Sequence, residues 1–184
     1  MQEILSNNIQ NKIILITGAT SGIGYALSKV YLNNNWTVIG IGRDQTKVEK
    51  FINKFPHNFF FYKVDLNNFQ NTNNVLDEIF SKYKNINSFI LNAGIYIPES
   101  YQDFKFINAQ ETFNVNVLSV YLIIEKIKFF FDLTSTHTIS IISSVAALAF
   151  VDTSAVFSAV SDIATIRCAV SSPAANCSTA AVHI

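Results

Sequence analysis

The chain has 184 residues, 49% of them hydrophobic and 14% charged, with a formal net charge of zero. That length and apolar content allow one domain whose core needs neither disulfides nor metal. Zero net charge removes the bulk electrostatic argument for a polyanion, so neither nucleic acid nor a membrane surface is expected as a partner.

KIILIT (12–17) is a short isoleucine-rich run ending at a glycine-rich turn, and it predicts a fully buried strand. IGYALSKVYL (23–32) follows, with Ile23, Ala26, Leu27, Val30 and Tyr31 at helical spacing. TVIGIG (37–42) predicts a second strand, and DQTKVEKFINKF (44–55) a helix capped by Asp44. NFFFYKV (58–64) predicts a third strand, and residues 68–83 a third helix with Val75, Leu76 and Ile79 on one face. INSFILN (86–92) is a fourth strand, residues 107–131 a long helical segment, and HTISIIS (137–143) a fifth strand. Strands alternating with helices imply right-handed crossovers and a parallel sheet covered on both faces. The expected fold is α/β, a doubly wound Rossmann-type sheet.

The composition changes near residue 150. Asparagine occurs 19 times in residues 1–150 and once afterwards, and lysine falls from eleven to none. A boundary is therefore placed there, with residues 1–150 taken as the body of the domain. Residues 151–184 are expected to be a degenerate continuation and a loose tail, as in a shortened or frame-shifted product. The opening MQEILSNNIQNK lacks the features of a signal peptide. Later runs such as ISIISSVAALAFV are too short and serine-broken to span a bilayer. A cytoplasmic location is expected. Three scattered histidines suggest no metal site, and Cys168 and Cys177 fit neither a redox pair nor zinc ligands.

The chemistry-bearing stretch is TGATSGIG (17–24), which joins the first strand to the first helix. Glycines there let the chain turn tightly and let a diphosphate approach without a Cβ in the way. The helix start supplies free N–H groups and the positive end of its dipole. The wording TGxxxGxG resembles the short-chain dehydrogenase/reductase family, and further motifs follow in family order. Asp65 and Leu66 of KVDL follow the third strand, and Asn92, Ala93 and Gly94 of LNAG follow the fourth. Asn116 lies in the helix before the fifth strand, and Ser144 ends that strand, with Ser143 the second choice. Taken singly, Asp65 also suits a turn and Asn92 a residue that satisfies backbone groups. Their joint order favours the family.

The resemblance implies that Gly18, Thr20, Ser21, Gly22, Ile23 and Gly24 hold a pyrophosphate. It places Asp65 and Leu66 at the adenine, and Asn92, Ala93 and Gly94 further along the cofactor. Asn116 and Ser144 would then orient an alcohol or carbonyl substrate. A carboxylate at the tip of the second strand favours a ribose 2′-hydroxyl, whereas arginine accommodates a 2′-phosphate. IGRD (41–44) puts Arg43 there, with Asp44 more simply a helix cap, so NADP is expected ahead of NAD.

One pair is missing. Family members place a tyrosine thirteen residues after the serine and a lysine four residues later. Here those positions hold Phe157 and Ser161. Residues i and i+4 share a helix face, where an ammonium would favour ionisation of the phenol. The last tyrosine is Tyr121 and the last lysine Lys128, so no nearby residue replaces them. The expectation is an oxidoreductase by descent with impaired hydride transfer. The alternative is a catalytically inactive dinucleotide-binding sensor or partner of an active homologue, and a plain structural module ranks last. An unpaired fifth strand and the apolar helix from Ile107, including Phe129–Phe131, are expected to drive self-association into a homo-oligomer.

Overall fold

A strand can be apolar along its whole length only where helices cover both faces of its sheet, and the central strands here meet that condition. The computed structural model describes residues 12–100, 102–103, 105–130, 137–143, 164–170 and 179–181. The first half runs β1 (Ile13–Thr17), α1 (Gly22–Asn33), β2 (Thr37–Gly42), α2 (Glu49–Lys54), β3 (Phe59–Lys63) and α3 (Phe69–Lys82). The second half continues with β4 (Ser88–Leu91), α4 (Phe106–Phe113), α5 (Ser119–Phe130), β5 (His137–Ser143), β6 (Ala164–Val170) and β7 (Thr179–Ala181). A 3-10 turn over Gln45–Val48 leads into α2, and a π-helical turn over Asn114–Leu118 joins α4 to α5.

The sheet order is β3-β2-β1-β4-β5-β6-β7. β1 to β6 are parallel, and β7 is antiparallel to β6. Leu15 of β1 lies opposite Ile39 of β2 and Phe89 of β4. The alternation along β1 divides the core. Leu15 packs in one cluster with Leu76 and Ile79 of α3 and with Ile123 and Ile127 of α5. Ile14 and Ile16 pack in the other with Leu32 of α1 and Phe51 of α2. The doubly wound α/β fold is therefore present, with β1 and β4 at its centre.

Three details differ from expectation. The apolar spacing of α1 pointed to Ile23, Ala26 and Val30, yet these are exposed, and Gly24, Ser28 and Leu32 face inward. Small residues let the helix lie close to the sheet, and the Ser28 hydroxyl satisfies itself on the Gly24 carbonyl at 2.8 Å. The segment 44–55 is split, because Asp44 caps a 3-10 turn before α2 begins. Lastly, β5 is not an edge. Its whole length from His137 to Ser143 pairs with Ala164–Val170, and residues taken as a loose tail form β7. Pairing satisfies the N–H and C=O groups that an edge would leave open, so self-association through that edge loses its basis. Phe131 lies outside the described residues, as do the side chains of Phe129 and Phe130. Among the described residues, no helix is long and apolar enough to cross a membrane.

Candidate functional site

In an open α/β sheet the ligand crevice forms beyond the carboxyl ends of the strands, where the strand order reverses. Here the reversal falls between β1 and β4, since β2 and β3 lie on one side and β5 on the other. A cleft opens at that point, lined by the glycine loop after β1, by Gly42 at the end of β2 and Arg43 just after it, and by Asp65 and Leu66 after β3. Ala93, Gly94 and Ile95 after β4, with Val115 of the π turn, complete its wall.

The loop is shaped by three glycines with separate tasks. Gly18 has φ +70°, and a Cβ there would lie 2.9 Å from both the Ala93 Cα and the Asn92 Nδ2. Gly24 admits no Cβ either, because it would overlap the Gly18 carbonyl and come within 2.6 Å of Asn92 Nδ2. Asn92 therefore occupies the space that both glycines vacate. Gly22 differs. Its φ is +52°, and a Cβ there would meet nothing within 4 Å, so the space beside it is free for a ligand. Ser21 precedes α1 without capping it, and the first turn carries no acidic residue. The N–H groups at the start of this helix are thus left to an anion.

Thr17 ties the loop to β4. Its hydroxyl oxygen accepts from the backbone N–H of Asn92 and of Ala93, each at 3.0 Å, while Asn92 Nδ2 donates to the Thr17 carbonyl at 3.2 Å. Thr17 is buried. Sequence reasoning passed over it, although it is the first residue of TGATSGIG. Gly42 was also undervalued, because a Cβ there would come within 2.6 Å of Thr20 Cγ2.

At the end of β2, Arg43 is exposed on the cleft wall and its side chain forms no ion pair among the described residues. Asp44 is engaged elsewhere, accepting from the Thr46 hydroxyl at 2.6 Å and the Thr46 N–H at 3.1 Å. The hydroxyl bond, more than the N–H bond or nearby Lys47, holds its carboxyl below the usual carboxylate range. After β3, Asp65 accepts from the Asn67 N–H at 3.0 Å, which forms the turn that the strand end requires. Leu66 lines the cleft while burying its side chain in the core.

Asn116 sits in the π turn, a single wide helical turn of a kind found at functional sites. Its Oδ1 accepts from the Ile95 N–H at 2.8 Å, and its Nδ2 donates to the Ile95 carbonyl at 2.9 Å. The side chain thus braces the strip after β4. Ser144, Phe157 and Ser161 lie outside the described residues, as does the side chain of Ser143. Among the described residues, no group of three His, Cys, Asp or Glu side chains is placed to hold a metal.

A profile of the short chain dehydrogenase family matches residues 12–162. The chain belongs to this family. Among curated short-chain dehydrogenases, "Dehydrogenase/reductase SDR family member 11" of Bos taurus is 26% identical over 116 residues, 60% of this chain and 46% of that protein. The chain thus spans about half the length of the curated relatives it matches. A short-chain dehydrogenase structure from Streptomyces avermitilis superimposes with TM-score 0.75 and 17% identity, covering 86% of this chain and 64% of that one. The 3-ketoacyl-(acyl-carrier-protein) reductase of Brucella melitensis, complexed with NADH, gives TM-score 0.65 and 23% identity over 72% of this chain and 57% of its own. An alcohol dehydrogenase of Thermococcus sibiricus, complexed with 5-hydroxy-NADP, gives 0.64 and 17% over 72% and 58%. Both nicotinamide cofactor types therefore occur on this fold.

Proposed function

We propose that the cleft binds NADP(H), and that the chain is by descent an oxidoreductase of alcohols or carbonyls whose hydride transfer is impaired. The free space beside Gly22 and the uncapped start of α1 suit a pyrophosphate. The Asp65 turn and Leu66 form the adenine side, and the strip Ala93–Ile95 lies further along the cleft. A bound nicotinamide ring would supply the hydride. The chain's own task is to hold that ring and the substrate in place.

The preference for NADP is carried by one observation, the exposed Arg43 on the cleft wall with Asp44 turned into its own cap. Arg43 offers a guanidinium fork to a 2′-phosphate. The Asp44 carboxylate, which would otherwise favour a 2′-hydroxyl, is committed to Thr46. Titrating the unmodified chain and Arg43→Ala with NADP and with NAD tests this. A charge-assisted contact of this kind is worth about 10- to 100-fold in affinity, and that loss should fall on NADP alone. Equal losses for both cofactors would remove the assignment.

The second reading, a dinucleotide binder without turnover, is favoured by Phe157 and Ser161. Phenylalanine has no proton to exchange, and serine provides no cation to tune one. Positioned acid–base catalysis is typically worth about 10²- to 10⁴-fold. NADPH oxidation across a panel of carbonyls should accordingly be slow or undetectable, and Phe157→Tyr with Ser161→Lys tests whether the missing pair alone accounts for it. Rapid turnover by the unmodified chain would refute the impairment. Strong rescue by the double change would locate the defect in the missing pair alone.

A further inference from the structure

The π turn makes a second contact that the family motifs do not include. Asn114 Nδ2 donates to Asn67 Oδ1 at 2.9 Å, across 47 residues of sequence, and the bond is partly buried. Asn67 is the residue whose N–H closes the Asp65 turn, and Asp65 and Leu66 line the cleft. Two residues on, Asn116 holds the backbone of Ile95 through both atoms of its amide. Val115 stands between the two asparagines and forms part of the cleft wall. One helical turn therefore grips the chain after β3 with one side chain and the chain after β4 with another.

We propose that Asn114 is a positioning residue for the dinucleotide, fixing the Asp65–Asn67 turn relative to the strip held by Asn116. Within the turn, the Asn67 and Asn68 N–H groups donate to Asp65, the Thr72 hydroxyl reaches the Asp65 carbonyl at 3.5 Å, and the Val64 N–H just ahead donates to the Gly42 carbonyl at 2.8 Å. Those bonds shape the turn and tie it to β2 and α3, but none of them reaches the π turn or the strip after β4. The Asn114–Asn67 bond supplies that link. A ligand spanning both strand ends then meets a wall of set width and loses less freedom on binding. Only the donor–acceptor match is required, so an acceptor other than an amide at position 67 will serve.

The proposal rests on the dinucleotide reading, and the test separates the two. Affinities for NADP and for adenosine 2′,5′-bisphosphate are measured on the full chain, on Asn67→Leu, Asn114→Leu and their combination, and on Asn67→Asp. Ligand-free thermal midpoints are recorded beside them. Each leucine variant should weaken both ligands, on the order of three- to tenfold for one lost hydrogen bond. The double variant should be no weaker than either single, because both remove the same bond. Asn67→Asp keeps the acceptor and should stay within about twofold of the parent. Unchanged affinities in the leucine variants, additive losses, or an Asn67→Asp variant as weak as Asn67→Leu would each overturn the proposal while leaving the dinucleotide reading intact. A lowered thermal midpoint with unchanged affinity would reduce the bond to a structural role and also overturn it. Failure of the unmodified chain to bind either ligand would refute both. Should Asn114→Leu not fold, the two Asn67 variants decide alone.

Discussion

The phosphate loop and the π turn line the same cleft but are built from opposite materials. The loop works by what it lacks. Gly18 and Gly24 omit side chains so that backbone, backbone and the Asn92 amide can meet. The π turn works by what it carries, two asparagine amides that reach neighbouring chain segments. The difference teaches how each should fail. Adding a methyl group where main-chain atoms already touch leaves no soft neighbour to yield, whereas removing one amide costs about one hydrogen bond.

The sharpest way to break this contrast is Gly24→Ala. Its methyl would fall on the Gly18 carbonyl, and a loss of about 3 kcal/mol of stability is expected in denaturant unfolding. Parent-like stability would mean that the loop relaxes and that its closeness is unimportant. Gly22→Leu is the counter-case within the same loop. The open space should spare the fold apart from about 1–2 kcal/mol for the left-handed backbone. NADP affinity, however, should fall on the order of 100-fold as phosphate contacts are lost. A variant that still binds would show that the phosphate does not lie there.

Thr17→Val stands between the two materials, because it removes a side-chain acceptor inside the glycine network. Two N–H groups, of Asn92 and Ala93, would lose their partner, at about 2–4 kcal/mol in unfolding free energy. Thr17→Ser should recover most of that, and equal loss in both variants would assign the effect to packing. The smallest effect is expected at Asp44. Its folded-state carboxyl titrates below the usual 3.8, chiefly through the Thr46 hydroxyl bond. On acidification the unfolded chain therefore takes up this proton first. The contribution is present above the unfolded value and disappears as pH falls through the lowered folded one. Asp44→Asn should flatten that part of the acid-unfolding profile, and an unaltered profile would remove the cap from the account.

Much of the fold was legible because its signals are local. Apolar runs such as KIILIT mark strands buried on both faces, and TGATSGIG marks a turn whose geometry only glycine supplies. The inward face of α1 was not legible, since Gly24 and Ser28 have no hydropathy to report although they lie closest to the sheet. The partners of Thr17 and Asn116 were hidden for another reason. They lie 75 or 76 and 21 residues away, and no periodicity encodes such choices. The π turn also leaves the apolar spacing of NVNVLSVY looking like ordinary helix. β6 did carry a signal, the alternation of Ala164, Ile166, Cys168 and Val170, but the alanine- and serine-rich surroundings obscured it.

The central claim is that this cleft holds NADP although the residues for proton exchange are absent. Calorimetric titration of the unmodified chain with NADP, and with NAD as comparison, tests it most directly. The account predicts one saturable site per chain, with NADP bound more tightly by about tenfold or more. No saturable binding of either cofactor would contradict it.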